Sequence, residues 1–184
     1  MEDVYRSDQL ENAIDFLEQA AIYHKDYEFT HRFKWVCISL HGALYGFAVN
    51  SVSGTNPLET IFKNTNKETN KWYLLELMNI LKLCKNPDLI QVVNGKALEL
   101  TEHQEKAIVT LNEYRNNFSH FGANGYSVIG SLDYVVSPVL EVIRFLGIES
   151  NNILYLPNQK QRVEQALSSL ELSVKNENPV ETEN

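Results

Sequence analysis

An all-α bundle of five to six helices is the fold class that this sequence predicts. Three observations carry it. Apolar residues recur at helical spacings of three and four through most of the chain. One stretch, around Trp35 to Val49, is apolar on nearly every helical face and so reads as a central helix. The composition, 43% hydrophobic and 22% charged over 184 residues, suits one globular domain with a real core. The domain is expected to span residues 1–174. The polar, Pro-containing segment 175–184 reads as a disordered tail.

The first helix is expected from about Asp8 to Lys25, because Leu10, Ile14, Leu17 and Ala21 form one stripe. Phe29, Phe33, Val36, Leu40, Leu44 and Phe47 form the next. Trp35, Ile38, Tyr45 and Val49 cover that helix's other faces and make it the spine of the bundle. Residues 50–66 are rich in Ser, Thr, Asn, Gly and Pro without a sustained period, and read as a connection. A third helix is expected from about Glu68 to Cys84, with Leu74, Leu77, Leu81 and Cys84 on one side. It should stop near Asn86-Pro87, since the residue before proline disfavours the helical region.

Asn94-Gly95 between apolar residues is a two-residue hairpin signal, so a short hairpin is expected near residues 89–100. Thr101 and Gln104 have the spacing of a capping box and open a fourth helix running through Ile108 and Leu111 toward Phe118. A fifth helix is expected from about Leu132 to Phe145. Pro138 should kink it, or mark a late start with Ser137 as cap. A sixth follows Pro157, with Val163, Leu167 and Leu170 along one side.

The formal charge of −8 argues against a general nucleic-acid coat protein, because broad phosphate binding relies on Lys and Arg. Any RNA contact is therefore expected in a local cleft. Cys37 and Cys84 lie in apolar helical stretches and read as reduced core residues. The acidic start of the chain lacks the apolar region of a secretory signal. The run Trp35–Val49 falls short of the roughly 20 apolar residues of a bilayer span. A cytoplasmic protein without a membrane segment is expected.

The chemistry-bearing segment is Arg115-Asn116-Asn117-Phe118-Ser119-His120. It joins a permanent cation, whose planar fork matches phosphate, to a side chain that can take and return a proton near neutrality. Phosphodiester cleavage by an internal 2'-hydroxyl needs those two functions and no metal. Five helical residues turn the chain by about 140°, so the helix should end or distort between Arg115 and His120 if they are to converge. Gly122 and Gly125 downstream can supply such an end. His120 would then sit at a helix C-terminus, where the macrodipole favours its protonated form.

The stretch from Leu111 to Phe121 resembles the HEPN superfamily, whose signature is Arg, commonly a polar residue such as Asn, three more residues, then His. Arg115, Asn116 and His120 match it. The order of elements is also similar: two long helices, a variable connection, a motif-bearing helix and a final helical region. The resemblance implies a homodimer that pairs two copies of the motif across a shared cleft. It also implies a metal-independent endoribonuclease of a bacterial toxin or phage-defence type, with an antitoxin or defence-system protein as a further partner. Arg115 would hold the scissile phosphate, His120 would act as general acid or base, and Asn116 would orient the pair. Gly122 stands where some toxin members carry a Tyr that a partner nucleotidyltransferase modifies. The superfamily also contains members used only for dimerisation or binding, so a non-catalytic interaction or nucleotide-binding module is the alternative function.

Asn117, Ser119, Tyr114 and Tyr126 flank the motif and are candidate substrate-binding residues. For Tyr114 the plainer alternative is core packing. For Arg115 and His120 it is a surface Arg and a helix-end His that bond backbone carbonyls. Ser119 lacks an acidic partner for a nucleophile's role. His24, His31, His41 and His103 show no metal-binding spacing, so no metal and no cofactor are expected. His41 reads as a core histidine, with a supporting role near the cleft as the alternative. Lys63, Lys67, Lys71, Lys82 and Lys85 read as a solvated face, or alternatively as a basic rim.

Overall fold

The carboxylate of Asp8 accepts a hydrogen bond from the Glu11 amide at 2.7 Å and so opens the first helix, α1 (Gln9–Lys25). The structure is a computed structural model that describes residues 7–53, 60–66, 71–119 and 132–177. Within them α1 is followed by α2 (Arg32–Val52), a hairpin of β1 (Phe62–Asn66) and β2 (Lys71–Leu74), and α3 (Leu77–Cys84). Next come α4 (Glu102–Ser119), α5 (Asp133–Arg144) continued by a π-helical turn (Phe145–Glu149), and α6 (Gln159–Glu177). The all-α bundle is therefore observed, with the two-stranded hairpin as its β element among the described residues.

Helix α2 is the centre. Val36, Cys37, Leu40, Ala43, Leu44, Phe47 and Ala48 have no exposed surface, and α1, α3, α4 and α5 all pack on it. It is the one described helix long and apolar enough to cross a membrane, but two thirds of that apolar window (67%) is buried in the bundle. Its approach to α1 depends on two glycines. A Cβ on Gly46 would lie 2.5 Å from the Ala13 Cβ, and one on Gly42 would lie 2.6 Å from the Phe16 ring. Across the bundle α6 is tied to α1 by Arg162, which pairs with both Glu11 and Glu18, and to α5 by Arg144–Glu171.

Several local expectations hold. The Thr101 amide donates to Gln104 Oε1 at 3.0 Å and the Gln104 amide to Thr101 Oγ1 at 3.2 Å, which is a capping box. Cys37 and Cys84 are free and buried, and burial pushes both thiols up to about 12.

Other expectations are corrected. The hairpin lies at residues 62–74, not near 89–100. Trp72 and Tyr73 are aromatics that suit a pleated strand, so residues 71–74, expected to be helical, pair with β1, and α3 starts only at Leu77. Asn94 does take a left-handed turn, with φ of 62°, and the Gly95 amide bonds the Val92 carbonyl at 2.9 Å. The flanks of that turn do not pair with each other. The Lys96 amide goes to the Ser150 carbonyl at 2.9 Å and the Leu98 amide to the Cys84 carbonyl at 2.8 Å. Helix α5 runs from Asp133 straight through Pro138, so the late start at Ser137 does not occur. Phe29 precedes α2 rather than opening it. Helix α6 extends through Lys175 to Glu177, three residues into the segment expected to be a tail.

The α1–α2 contact yields a stability prediction. Gly46→Ala gains about 0.5–1 kcal/mol of helix propensity. It also overpacks against Ala13 in the core of the crossing, which costs about 1–3 kcal/mol. A net loss of about 1–2 kcal/mol is expected in urea unfolding. Gly42→Ala should lose less, because the partly exposed Phe16 ring can swing aside.

Candidate functional site

The third turn of α2 and the last turns of α4 face one another, and the hairpin closes the gap between them at one end. The resulting cleft, of about 410 Å³, is lined by His41 and Tyr45 from α2, by Asn112, Arg115 and Asn116 from α4, and by Leu74 to Met78 excepting Leu75. Its volume is in the range of small-ligand sites. A neighbouring groove shares Arg115, His41 and Tyr45, and adds Ser119 together with Gln9 and Asn12 of α1.

Arg115 is half-buried here, and its charge is treated unlike that of the other arginines. Among the described residues Arg32, Arg144 and Arg162 each pair with a glutamate. Arg115 has no such ion pair there. Its Nη1 donates to the neutral Asn116 Oδ1 at 3.0 Å. Glu76 is the carboxylate on the cleft wall, at an exposed position beyond ion-pair distance. A guanidinium left without a counter-ion in a concavity is ready for an anion, and its fork geometry suits a phosphate.

His41 lies beside it. The ring is buried, and its Nε2 is 3.1 Å from Asn112 Oδ1, so Nε2 carries the hydrogen and donates. Burial pushes the imidazole down to about 4; the Asn112 bond opposes that shift and the Arg115 charge reinforces it. His41 is thus neutral at physiological pH and adds no positive charge to the cleft. Tyr45 donates its hydroxyl to the Leu75 carbonyl, and burial raises its pKa, with Glu76 adding to the effect.

The structure brings Arg115 and Asn116 together on one wall. Ser119 reaches only the neighbouring groove, and Asn117 is exposed outside both. Tyr114 lines neither: its ring packs edge-on against Phe33 at 5.2 Å and its hydroxyl bonds Tyr134, which matches the packing alternative. His120 and Tyr126 lie outside the described residues. Helix α4 stays helical through Ser119, so the distortion expected after Arg115 is not found between residues 115 and 119. Lys63, Lys71 and Lys82 are exposed away from the cleft lining, Lys85 pairs with Glu105, and Lys67 is outside the described residues.

Sequence reasoning did not place Asn112, Tyr45 or Glu76 at the site. Asn112 is one helical turn before Asn116, so a search of the motif's own face could have found it. Tyr45 and Glu76 arrive through tertiary packing. The described groups with metal-ligating side chains that cluster, His24, Asp133 and Glu177, are elsewhere. Arg32 bonds the His24 carbonyl, and His41 lies nine residues further along α2, about 13 Å of helical rise. No protein-family model, curated protein or solved structure matches the chain.

The His41 environment sets a pH dependence. Its folded pKa of about 4 lies below the ordinary value of 6.5, so the unfolded chain binds the proton first. The stabilisation is complete above about pH 6.5 and is lost progressively as pH falls toward 4. The melting temperature should therefore drop on acidification across that interval. His41→Gln, whose amide can still donate to Asn112, should flatten the drop. Part should persist, because burial also depresses the His24 pKa.

Proposed function

We propose that the chain is a HEPN-type, metal-independent endoribonuclease of a bacterial toxin or defence type, acting in the cytoplasm as a homodimer. The observation that carries this reading is the Arg115 guanidinium. It is half-buried in a polar cleft, bonded to Asn116 and without a carboxylate partner among the described residues. The motif that begins at that Arg, with Asn following and His120 after three more residues, supports the same reading. The observed all-α bundle is compatible with it.

In this mechanism Arg115 grips the scissile phosphate and stabilises charge as the 2'-oxygen attacks phosphorus. Asn116 holds the guanidinium in plane by accepting from Nη1. His120 and its counterpart from the partner serve as base and acid. One removes the 2'-hydroxyl proton while the other protonates the departing 5'-oxygen. The bond from the 2'-oxygen to phosphorus forms as the bond to the 5'-oxygen breaks. The products are a 2',3'-cyclic phosphate and a 5'-hydroxyl. Neutral His41 keeps Asn112 oriented and leaves Arg115 as the cleft's positive charge.

The net charge of −8 favours a second reading, a dimeric module that binds a nucleotide, an RNA end or a protein partner without cleaving. An antitoxin or other defence-system protein would be the protein partner in either case.

Incubation of purified protein with mixed RNA in EDTA should generate 2',3'-cyclic ends. Arg115→Ala should reduce the rate by about 10²–10³-fold, and His120→Ala by about 10²–10⁴-fold, with helicity and dimerisation unchanged. Cleavage by His120→Ala at the wild-type rate would refute the mechanism. RNA binding that needs Arg115 but yields no cyclic ends would establish the second reading.

A further inference from the structure

A second polar cluster is built where α1, α2, α5 and α6 meet, and it shares no residue with the Arg115 cleft. His24, near the end of α1, is fully buried; Asp133, the first residue of α5, is buried too. Glu177, the last residue of α6, is mostly covered. One ligand-type atom from each lies within 4.8 Å of the others. Segments far apart in sequence thus deliver an imidazole and two carboxyl groups to one point in the interior.

The outer contacts hold these groups in position. His24 Nδ1 is 2.8 Å from Ser173 Oγ, one turn before Glu177 on α6. Arg32 pairs with the Glu177 carboxylate and donates its Nε to the His24 carbonyl at 2.8 Å, while its guanidinium lies 4.5 Å over the Tyr27 ring. With Nδ1 so engaged, His24 Nε2 points at Asp133 Oδ1, 3.4 Å away. Nε2 is shielded from solvent and, with Asp133 3.4 Å away, makes no well-formed hydrogen bond.

Asp133 and Glu177 interact directly in the interior, and beside the Arg32 guanidinium on Glu177 such a pair needs a further cation or a proton. The geometry favours the cation. A hydrogen bond would draw Nε2 and Oδ1 closer, to about 2.7–3.2 Å. The observed 3.4 Å has the length of one edge of a tetrahedron whose metal–ligand bonds are about 2.0–2.1 Å, and the other separations stay within 4.8 Å. A hydroxyl on the far nitrogen of the imidazole and a guanidinium behind the carboxylate are the outer contacts that orient metal ligands. Burial, reinforced by Arg32 and opposed by Asp133, lowers the His24 pKa toward the neutral, ligating form.

We propose that His24 Nε2 and one carboxylate oxygen each from Asp133 and Glu177 bind a divalent first-row metal ion of the zinc type. The ion fastens the end of α6 to α1 and α5. The site is structural: it stands away from the cleft and supplies no step of RNA cleavage.

The test uses the untagged full chain, stripped with EDTA and titrated with zinc or cobalt(II). One ion per chain is expected by elemental analysis, with visible cobalt absorption of low-symmetry sites and a melting temperature that rises with zinc concentration. His24→Ala should abolish all three responses. Ser173→Ala should weaken affinity by about 10–100-fold, as loss of an orienting contact does. Glu177→Gln, at a partly exposed helix end, tests the site should His24→Ala fail to fold, and it should lose stoichiometric binding. Arg115→Ala should bind like wild type. A folded wild-type chain that takes up no zinc, or whose melting temperature ignores it, would overturn the site in favour of a shared proton. Undiminished binding by Glu177→Gln and Ser173→Ala would overturn it as well.

Discussion

The bundle is organised by the need to bury most of α2, on which Trp35 is the large apolar side chain left exposed. A helix with Trp35, Ile38, Tyr45 and Val49 off its main apolar stripe cannot lie on a surface without exposing large apolar area. It must be surrounded, and α1, α3, α4 and α5 surround it. Gly42 and Gly46 let α1 approach to backbone distance, which frees the remaining faces of α2 for the other helices. This arrangement also creates the cleft. His41 and Tyr45 occupy the α2 face that α4 does not fully cover, so polar side chains of the two helices are left facing each other across a gap.

The parts of this fold legible in the sequence are those where local and tertiary preferences agree. The stripe Leu10, Ile14, Leu17, Ala21 and the pair Thr101–Gln104 specify their helices without help. Residues 68–76 are where the two diverge. Leu74 falls in register with Leu77 and Leu81, which suggests a continuous helix, yet the preceding Trp72 and Tyr73 favour a strand when a partner is available. Phe62–Asn66 is that partner, and nothing local announces it. Asn94-Gly95 shows the reverse case. Its turn chemistry is strong enough to form the turn, but Ser150, Cys84 and Asn152 capture the flanking backbone that a hairpin would have paired. For the site, Arg115 and Asn116 were readable as chemistry, whereas the facing wall of His41, Tyr45 and Glu76 depends on which helices cross.

Electrostatics sets Arg115 apart in this acidic chain. Its carboxylates are in excess, and three described arginines are consumed in holding α6 against its neighbours: Arg32 and Arg162 bridge to α1 and α2, and Arg144 joins α5. These partly exposed pairs each add little stability, but they fix helix positions and withdraw positive charge from the surface. Arg115 escapes that use. Its neighbours in the cleft are amides, a tyrosine hydroxyl and an imidazole held neutral by burial, with the exposed Glu76 carboxylate on the wall beyond ion-pair distance. Among the described arginines, Arg115 is thus the one whose charge is left to the cleft.

The two buried histidines show why the second cluster calls for a different explanation from the first. Both rings are held neutral by burial, so each has one nitrogen that donates and one that accepts. For His41 the carbonyl oxygen of Asn112 receives the donor at 3.1 Å. For His24 the hydroxyl of Ser173 at 2.8 Å can meet either need of Nδ1, while the Arg32 Nη2 donor stands further off at 3.5 Å, so two tautomers must be compared. If Nε2 carries the hydrogen, it should draw toward Asp133, and a buried, charge-assisted bond should be shorter than 3.4 Å. If Nδ1 carries it, Nε2 presents a lone pair to a carboxylate oxygen, and two acceptors face each other across that distance. Such a pair is repulsive in a low-dielectric interior unless a proton or a metal ion sits between them. The spacing of 3.4 Å fits the second arrangement if a metal ion, as proposed, lies between the two.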